Sequence, residues 1–300
     1  MLWLVIVILA YFLLAISAMG DEYLLNGKPN PKNYSFYVGS LGVLILLLIP
    51  FVGFTMPSPI LLIIGLLAGV IFLIANFFYF TALEKFDLSR VAPAMGAFLP
   101  ISTFLIIFFL EGSSITSFWQ ITAFLLLVLG SVLITIKAGK SFSFKGLLIA
   151  GFAAFLFSMS FVLSKHLYSQ MPFWSALMIM RVGSLLIAMW FIFTKEVRDE
   201  LFHKKPTFQK KSGLVFVGNQ IAGASAYILQ SWAVALVPLA FLPFINALEG
   251  IKYVFILLFV PILAKFIPQL CQEKNTTKSI IQKAISIIII CVGLFLIATK

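Results

Sequence analysis

The sequence predicts an all-α fold, a polytopic membrane helix bundle of ten transmembrane helices arranged as two inverted five-helix repeats. Three observations lead there. Of the 300 residues 62% are apolar and only 10% charged, with a mean hydropathy of +1.13. A soluble domain carries closer to a quarter charged residues, so these side chains cannot cover a water-facing surface. Apolar runs of about twenty residues, the length that crosses the hydrocarbon core, recur along the chain. Stretches such as Leu44 to Ile49 are apolar on every face, without the period-two alternation of a membrane barrel. The spans are therefore helices, which satisfy their own backbone groups in lipid.

The first span, 1–19, lacks a basic leader; Ala15-Ile-Ser-Ala18 has the form of a cleavage site, and the span is expected to be retained. Asn26-Gly-Lys-Pro-Asn-Pro31 separates it from a second at 34–54, and Met56-Pro-Ser-Pro59 separates that from a third at 59–83. The fourth, 91–110, contains Pro93 and Pro100, and the fifth covers 118–137. A sixth at 146–164 closes on Lys165 and His166, and a seventh covers 172–194. The longest polar stretch, Lys195 to Ser212, is too short for a separate domain. The remaining spans are 213–236, 240–264 and 280–299, with Pro238 and Pro243 around the start of the ninth. These prolines free backbone carbonyls and permit bends, which serve either as hinges or as static kinks. Gly65 and Gly69, four apart, fit close helix packing. Cys271 and Cys291 have no CxxC spacing and form no framework.

Residues 1–140 laid over 145–300 give matches that keep their order along the chain. Val38-Gly39-Ser40-Leu41 falls on Val182-Gly183-Ser184-Leu185, Pro93 on Pro243, and Gly130 with Leu133-Ile134 on Gly293 with Leu296-Ile297. Five spans per half is an odd number, so the halves have opposite orientation. Inverted repeats of this kind mark secondary transporters, with the substrate site near the midplane between repeats.

The stretch Asn76-Phe-Phe-Tyr-Phe-Thr-Ala-Leu-Glu-Lys-Phe-Asp-Leu-Ser-Arg-Val-Ala-Pro93 is followed by Pro100 in span four and Glu111 in the next connector. It resembles the pattern of the drug/metabolite transporter superfamily, in its EamA-like branch: a tyrosine-rich third span, an Ala-Leu turn, a proline in span four and a glutamate after it. The spacing from Pro100 to Glu111 is shorter than that pattern, and the second half has no acidic residue at the equivalent connector. The resemblance covers nearly the whole chain. It implies a ten-helix carrier of metabolites, amino acids or drug-like compounds, with spans three, four, eight and nine lining a central cavity.

Arg181, Glu249 and Lys252 are the charged residues well inside predicted spans, with Lys165 near an end. Each costs roughly 2.5–3.5 kcal/mol at the bilayer centre unless it faces a cavity or a partner. At 100° per residue, Asn246, Glu249, Gly250 and Tyr253 share one face of span nine, with Lys252 beside them. Glu249 then has two readings: a proton or cation relay, with Asn246 and Tyr253 hydrogen-bonding substrate, or a structural partner of Lys252 or Arg181. Arg181 either clamps a substrate carboxylate or phosphate or holds a carboxylate or helix carbonyls of the bundle. Asn76 and Tyr79 share a face of span three, as do Tyr227 and Gln230 in span eight; they line a path or bond between helices. The expected substrate and ion pathway comprises Glu249, Asn246, Tyr253, Arg181, Asn76, Tyr79 and Gln230.

No histidine pair, GxSxG, P-loop or acidic pair for a metal-bound diphosphate occurs in the sequence. The expectation is therefore no enzymatic activity, no catalytic residue, no metal and no cofactor. Transport of a small molecule, as yet undefined, would be driven by an ion gradient, with proton coupling, or by exchange. Net charge is +11 and pI about 9.7, yet most basic residues stand in short connectors beside apolar spans. That points to the anionic headgroups of the lipid bilayer as partner and to no nucleic acid. The expected setting is the cell (inner) membrane, multi-pass, as a monomer or dimer. Two alternatives stay open: a lipid-linked headgroup flippase, if the cavity opens laterally, or a non-transporting membrane enzyme or assembly protein. Apart from Lys165, Arg181, Lys252 and Lys300, all 21 Lys and Arg flank the connectors after odd-numbered spans, which places both termini outside. The family resemblance implies termini inside, and the charge pattern is preferred.

Overall fold

The computed structural model describes residues 2–26, 30–86, 88–112, 118–135, 144–202, 210–263 and 277–299. All of their regular structure is helical. In chain order the elements are α1 (Leu2–Asn26), α2 (Pro31–Gly42), a 3-10 segment (Val43–Leu48), α3 (Ile49–Val52), α4 (Pro59–Lys85), α5 (Leu88–Glu111) and α6 (Phe118–Thr135). The second half has α7 (Phe144–Gln170), α8 (Phe173–Phe191), α9 (Lys195–Phe202), α10 (Lys210–Leu236), a 3-10 turn (Leu239–Phe241), α11 (Leu242–Ala247), α12 (Glu249–Leu263) and α13 (Thr277–Thr299). The side chains of Pro93 and Glu111, and all of Cys271, lie outside the described residues.

Two of the proline connectors work as helix starts. Asn30 Oδ1 accepts from the Lys32 amide at 2.9 Å ahead of Pro31, and Ser58 caps α4 with Pro59 in its first turn. Proline lacks the N–H that would be orphaned there, and the capping oxygen satisfies a neighbour that would be.

Each of the ten apolar segments is helical in its described residues, the second and ninth in pieces. Among the described residues, six helices are long and apolar enough to cross a membrane: Leu2–Leu24, Pro31–Val52, Pro59–Lys85, Lys145–Gln170, Phe173–Phe191 and Leu239–Ile256. Ala94–Leu110, Phe118–Leu133 and Ile281–Leu296 are shorter apolar helices. Phe51, Phe109, Phe193 and Leu214 are each at least 80% exposed on the outside of the bundle. Apolar surface of that kind is what an integral membrane protein turns to lipid.

α1 lies along α10, and α4 lies along α7 and α8; α5 packs on α7, α6 and α11; α6 lies along α13; α2 rests on α8, and α12 on α1 and α6. Small residues allow the closest of these contacts. A Cβ on Gly69 would stand 1.8 Å from the Met180 carbonyl oxygen of α8, and one on Gly183 would stand 2.2 Å from that of Leu66 on α4. At the same seam Ser184 Oγ donates to the Gly69 carbonyl at 2.9 Å, a side-chain bond between spans of the sort that holds helices together in lipid. The expectation of close packing at Gly65 and Gly69 is met, since Gly65 likewise approaches Ile179.

The α6–α13 contact has reciprocal form. Gly130 faces Ser286 and Ile290, and Gly293 faces Ala123 and Leu127.

Prolines do not break α5, which runs without interruption through residues 93 and 100. Pro100 has no N–H for the carbonyl of Gly96, and Ser131 Oγ of α6 donates to that oxygen at 3.1 Å instead. The ninth span breaks elsewhere, at Leu248, after the proline has been absorbed in the first turn of α11. There the Leu248 amide bonds Phe244 O at 3.0 Å and the Ile251 amide bonds Leu248 O at 2.9 Å, a tighter turn that ends one helix and starts the next.

The polar stretch after span seven contains α9, whose helix is not evident in the sequence pattern. Val197 is buried, and the polar side docks on the start of α2: Lys32 Nζ pairs with Glu196 at 2.7 Å, Tyr37 OH donates to Glu200 at 3.0 Å, and Asn33 donates to the same carboxylate.

Candidate functional site

The break in the ninth span gathers the polar side chains of the bundle. Glu249 opens α12 at 5% exposure, and its Oε1 accepts from Lys252 Nζ one turn on and from Tyr253 OH at 3.4 Å. Its Oε2 is buried and unpartnered among the described residues. On the other side of the break, the Ile245 carbonyl accepts from Tyr11 OH of α1 at 2.7 Å, and Gln230 Nε2 of α10 reaches the same hydroxyl at 3.5 Å. Tyr11 thus ties the interrupted helix to α1 and α10. Helix interruptions at membrane depth are tolerated where other groups satisfy the backbone or where they line a cavity.

Asn246 is fully buried and its Nδ2 donates to Thr103 Oγ1 of α5 at 2.8 Å. Thr103 is held by Ser158 of α7 at 3.0 Å, so Asn246 anchors α11 to two neighbours, while its own Oδ1 is unpartnered among the described residues.

A second carboxylate joins the site. Asp21, in the last turns of α1, accepts from Asn219 Nδ2 of α10 at 2.6 Å and from Tyr34 OH of α2. Gly20 makes room for Asn219, since a Cβ there would fall 2.1 Å from its Oδ1. Lys252 lies within electrostatic reach of Asp21, and Tyr79 of α4 within reach of Asp21, Glu22 and Glu249. Tyr79 therefore feels the charge of both acidic groups.

Arg181 stands apart from Glu249, against aromatic rings. It lies in the middle of α8 at 7% exposure, its guanidinium carbon 3.7 Å from the Tyr227 ring centre and 5.2 Å from that of Phe72. It does not reach Glu249, which takes Lys252. Gly42, the residue at which α2 passes into its 3-10 segment, leaves it room: a Cβ there would lie 3.2 Å from Arg181 Cδ.

Of the pathway residues expected from sequence, Glu249, Tyr253 and Tyr79 come together, and Gln230 reaches them through Tyr11. Asn76 spends its amide on its own helix, donating to Phe72 O at 2.9 Å. Arg181 and Tyr227 form a separate station two turns along α4. Phe72, Asn76 and Tyr79, spaced four and three apart, form one stripe of α4 between the stations, and Phe157 of α7 touches the rings at both ends. Lys165, near the end of its predicted span, is 9% exposed within α7 and donates to Ala235 O at 3.0 Å.

Tyr11, Asp21 and Tyr34 were not among the residues expected to line a path. Tyr11 sits in an otherwise apolar run and Asp21 just past it, where the sequence gives no reason to extend the helix.

No family model matches the chain, and no curated protein matches it. The fold does match that of a protein solved by crystallography, with a TM-score of 0.65 at 17% sequence identity, over 97% of this chain and 98% of the other. A likeness at that identity establishes a shared fold across essentially the full length.

Proposed function

We propose that this protein is a secondary transporter of the EamA-like, drug/metabolite type, carrying a small metabolite, amino acid or drug-like compound by alternating access between two inverted repeats, residues 1–140 and 145–300. The observation that carries this reading is the interrupted ninth span, with the unpartnered oxygen of Glu249 at its break and Tyr11, Tyr79, Lys252 and Tyr253 around it. Broken helices near the midplane, with an ionisable group at the break, are how such carriers bind substrate and coupling ion.

The packing pattern supports the repeat. Exchanging equivalent spans maps the α1–α10 contact onto α7–α4, and α5–α7 onto α12–α1, while α2–α8, α5–α11 and α6–α13 map onto themselves. The reciprocal glycines of α6 and α13 follow the same exchange. The ten helical segments then act as ten spans, the broken second equivalent to the seventh and the broken ninth to the fourth.

Glu249 in this reading exchanges its ion pair with Lys252 for a proton when the cavity dries, which couples movement to a proton gradient. The test is flux of a metabolite panel into proteoliposomes with and without a pH gradient. Accumulation of at least one solute that depends on the gradient supports it, and protein-independent leakage for every solute refutes it.

A further inference from the structure

Arg181 holds a charge deep inside α8 with no counter-ion among the described residues. Among the described residues no carboxylate or carbonyl accepts from its guanidinium; its partners are the faces of Tyr227 and Phe72. A buried charge of this kind is costly unless something neutralises it. The Tyr227 ring lies against the guanidinium, with the Phe72 ring packed beside it; the N–H groups of a guanidinium lie in its plane, where a carboxylate binds in bidentate fashion.

Charge selects the anion. Lys252 is paired with Glu249 and Lys165 is held by the Ala235 carbonyl, so Arg181 is the buried cation without an acceptor among the described residues. A monocarboxylate neutralises it. A phosphate monoester, at about −1.5 to −2, would leave an uncompensated buried charge. The surroundings select the rest of the ligand: Phe72 and Tyr227 lead along α4 to Phe157 and Tyr79, an aromatic stripe suited to an apolar body extending from Arg181 toward Glu249.

We propose that Arg181, flanked by Phe72 and Tyr227, is the recognition site for the carboxylate of an organic monoanion with an apolar or aromatic body. This rests on the carrier reading for its biological meaning, but binding can be measured without transport.

The experiment titrates the full chain in lipid nanodiscs with benzoate, phenylacetate and hexanoate, with their neutral amides, and with phenyl phosphate. At least one carboxylate should bind, with its amide and phenyl phosphate each at least tenfold weaker. Arg181→Gln should weaken carboxylate binding roughly ten- to hundredfold, the loss of a charge-assisted pair, and Arg181→Lys should recover part of it. Tyr227→Leu, which leaves the charge in place but removes one ring, should weaken binding less than Arg181→Gln, with monodisperse elution verifying the fold of each variant. No binding by any carboxylate, equal binding of acid and amide, or a folded Arg181→Gln that binds as wild type would overturn the proposal. Carboxylate binding that needs Arg181 without flux in proteoliposomes would remove the carrier reading and keep the site. Flux of a neutral solute, unchanged in Arg181→Gln, with no carboxylate binding would do the reverse.

Discussion

Gly130 and Gly293 face each other's helices through identical offsets. Gly130 meets Ile290 and Ser286, three and seven residues before Gly293, and Gly293 meets Leu127 and Ala123, three and seven residues before Gly130. Two helices related by a two-fold axis make contacts of this form, and the two glycines are the pair that the internal sequence match aligns.

That reciprocity predicts matched sensitivities. The added Cβ would lie 2.6 Å from Ile290 Cγ1 at position 130 and 2.9 Å from Leu127 Cγ at position 293. Gly130→Val and Gly293→Val should each destabilise by about 1–3 kcal/mol through overpacking, within about 1 kcal/mol of one another. Thermal unfolding in detergent checks this; a large loss at one site and none at the other would contradict equivalence.

Removing the Tyr11 hydroxyl should loosen the break. Tyr11→Phe leaves the Ile245 carbonyl without its donor and costs about 1–2 kcal/mol, by the usual price of a buried acceptor left unmet. Hydrogen exchange should accelerate around residues 245–251 and remain unchanged in α13.

Asp21 should matter as much as the residues visible in the sequence. Asp21→Ala strips the acceptor from Tyr34 OH and Asn219 Nδ2 and should lower stability by about 1–3 kcal/mol. Asp21→Asn keeps an acceptor oxygen and should recover part of it, as read from melting temperatures.

The α9 docking should be acid-sensitive. The Lys32 ammonium hydrogen-bonded to Glu196 holds that carboxyl below its ordinary value of 4.5. A depressed folded value means stabilisation is present above the ordinary value and is lost as pH falls through the lowered one. The pair is part-exposed, so the effect is screened and within about 1 kcal/mol. Proteolysis between α9 and α10 should quicken in wild type as pH falls below the ordinary carboxylate range, and the acid dependence should shrink in Lys32→Gln.

The positions of the helices are legible in the sequence because an apolar run of membrane length has few alternatives in lipid. The break at Leu248 is not, since Pro238 and Pro243 draw attention to the start of the span while the interruption comes a turn later, fixed by tertiary bonds from Tyr11. Glu249, Tyr253 and Arg181 stand out as polar groups in apolar runs. Asp21 does not, because the apolar run ends at Met19 and its partners Tyr34 and Asn219 lie on other helices. The face-on contact of Arg181 with Tyr227 likewise joins spans seven and eight through packing that no local spacing reveals.

Coupling of solute movement to protons through Glu249, as proposed, is tested by comparing wild type with Glu249→Gln in proteoliposomes bearing a pH gradient. Wild type should show gradient-driven accumulation and the variant gradient-independent exchange. Equal, gradient-driven accumulation by both would contradict it and leave Glu249 as the structural partner of Lys252.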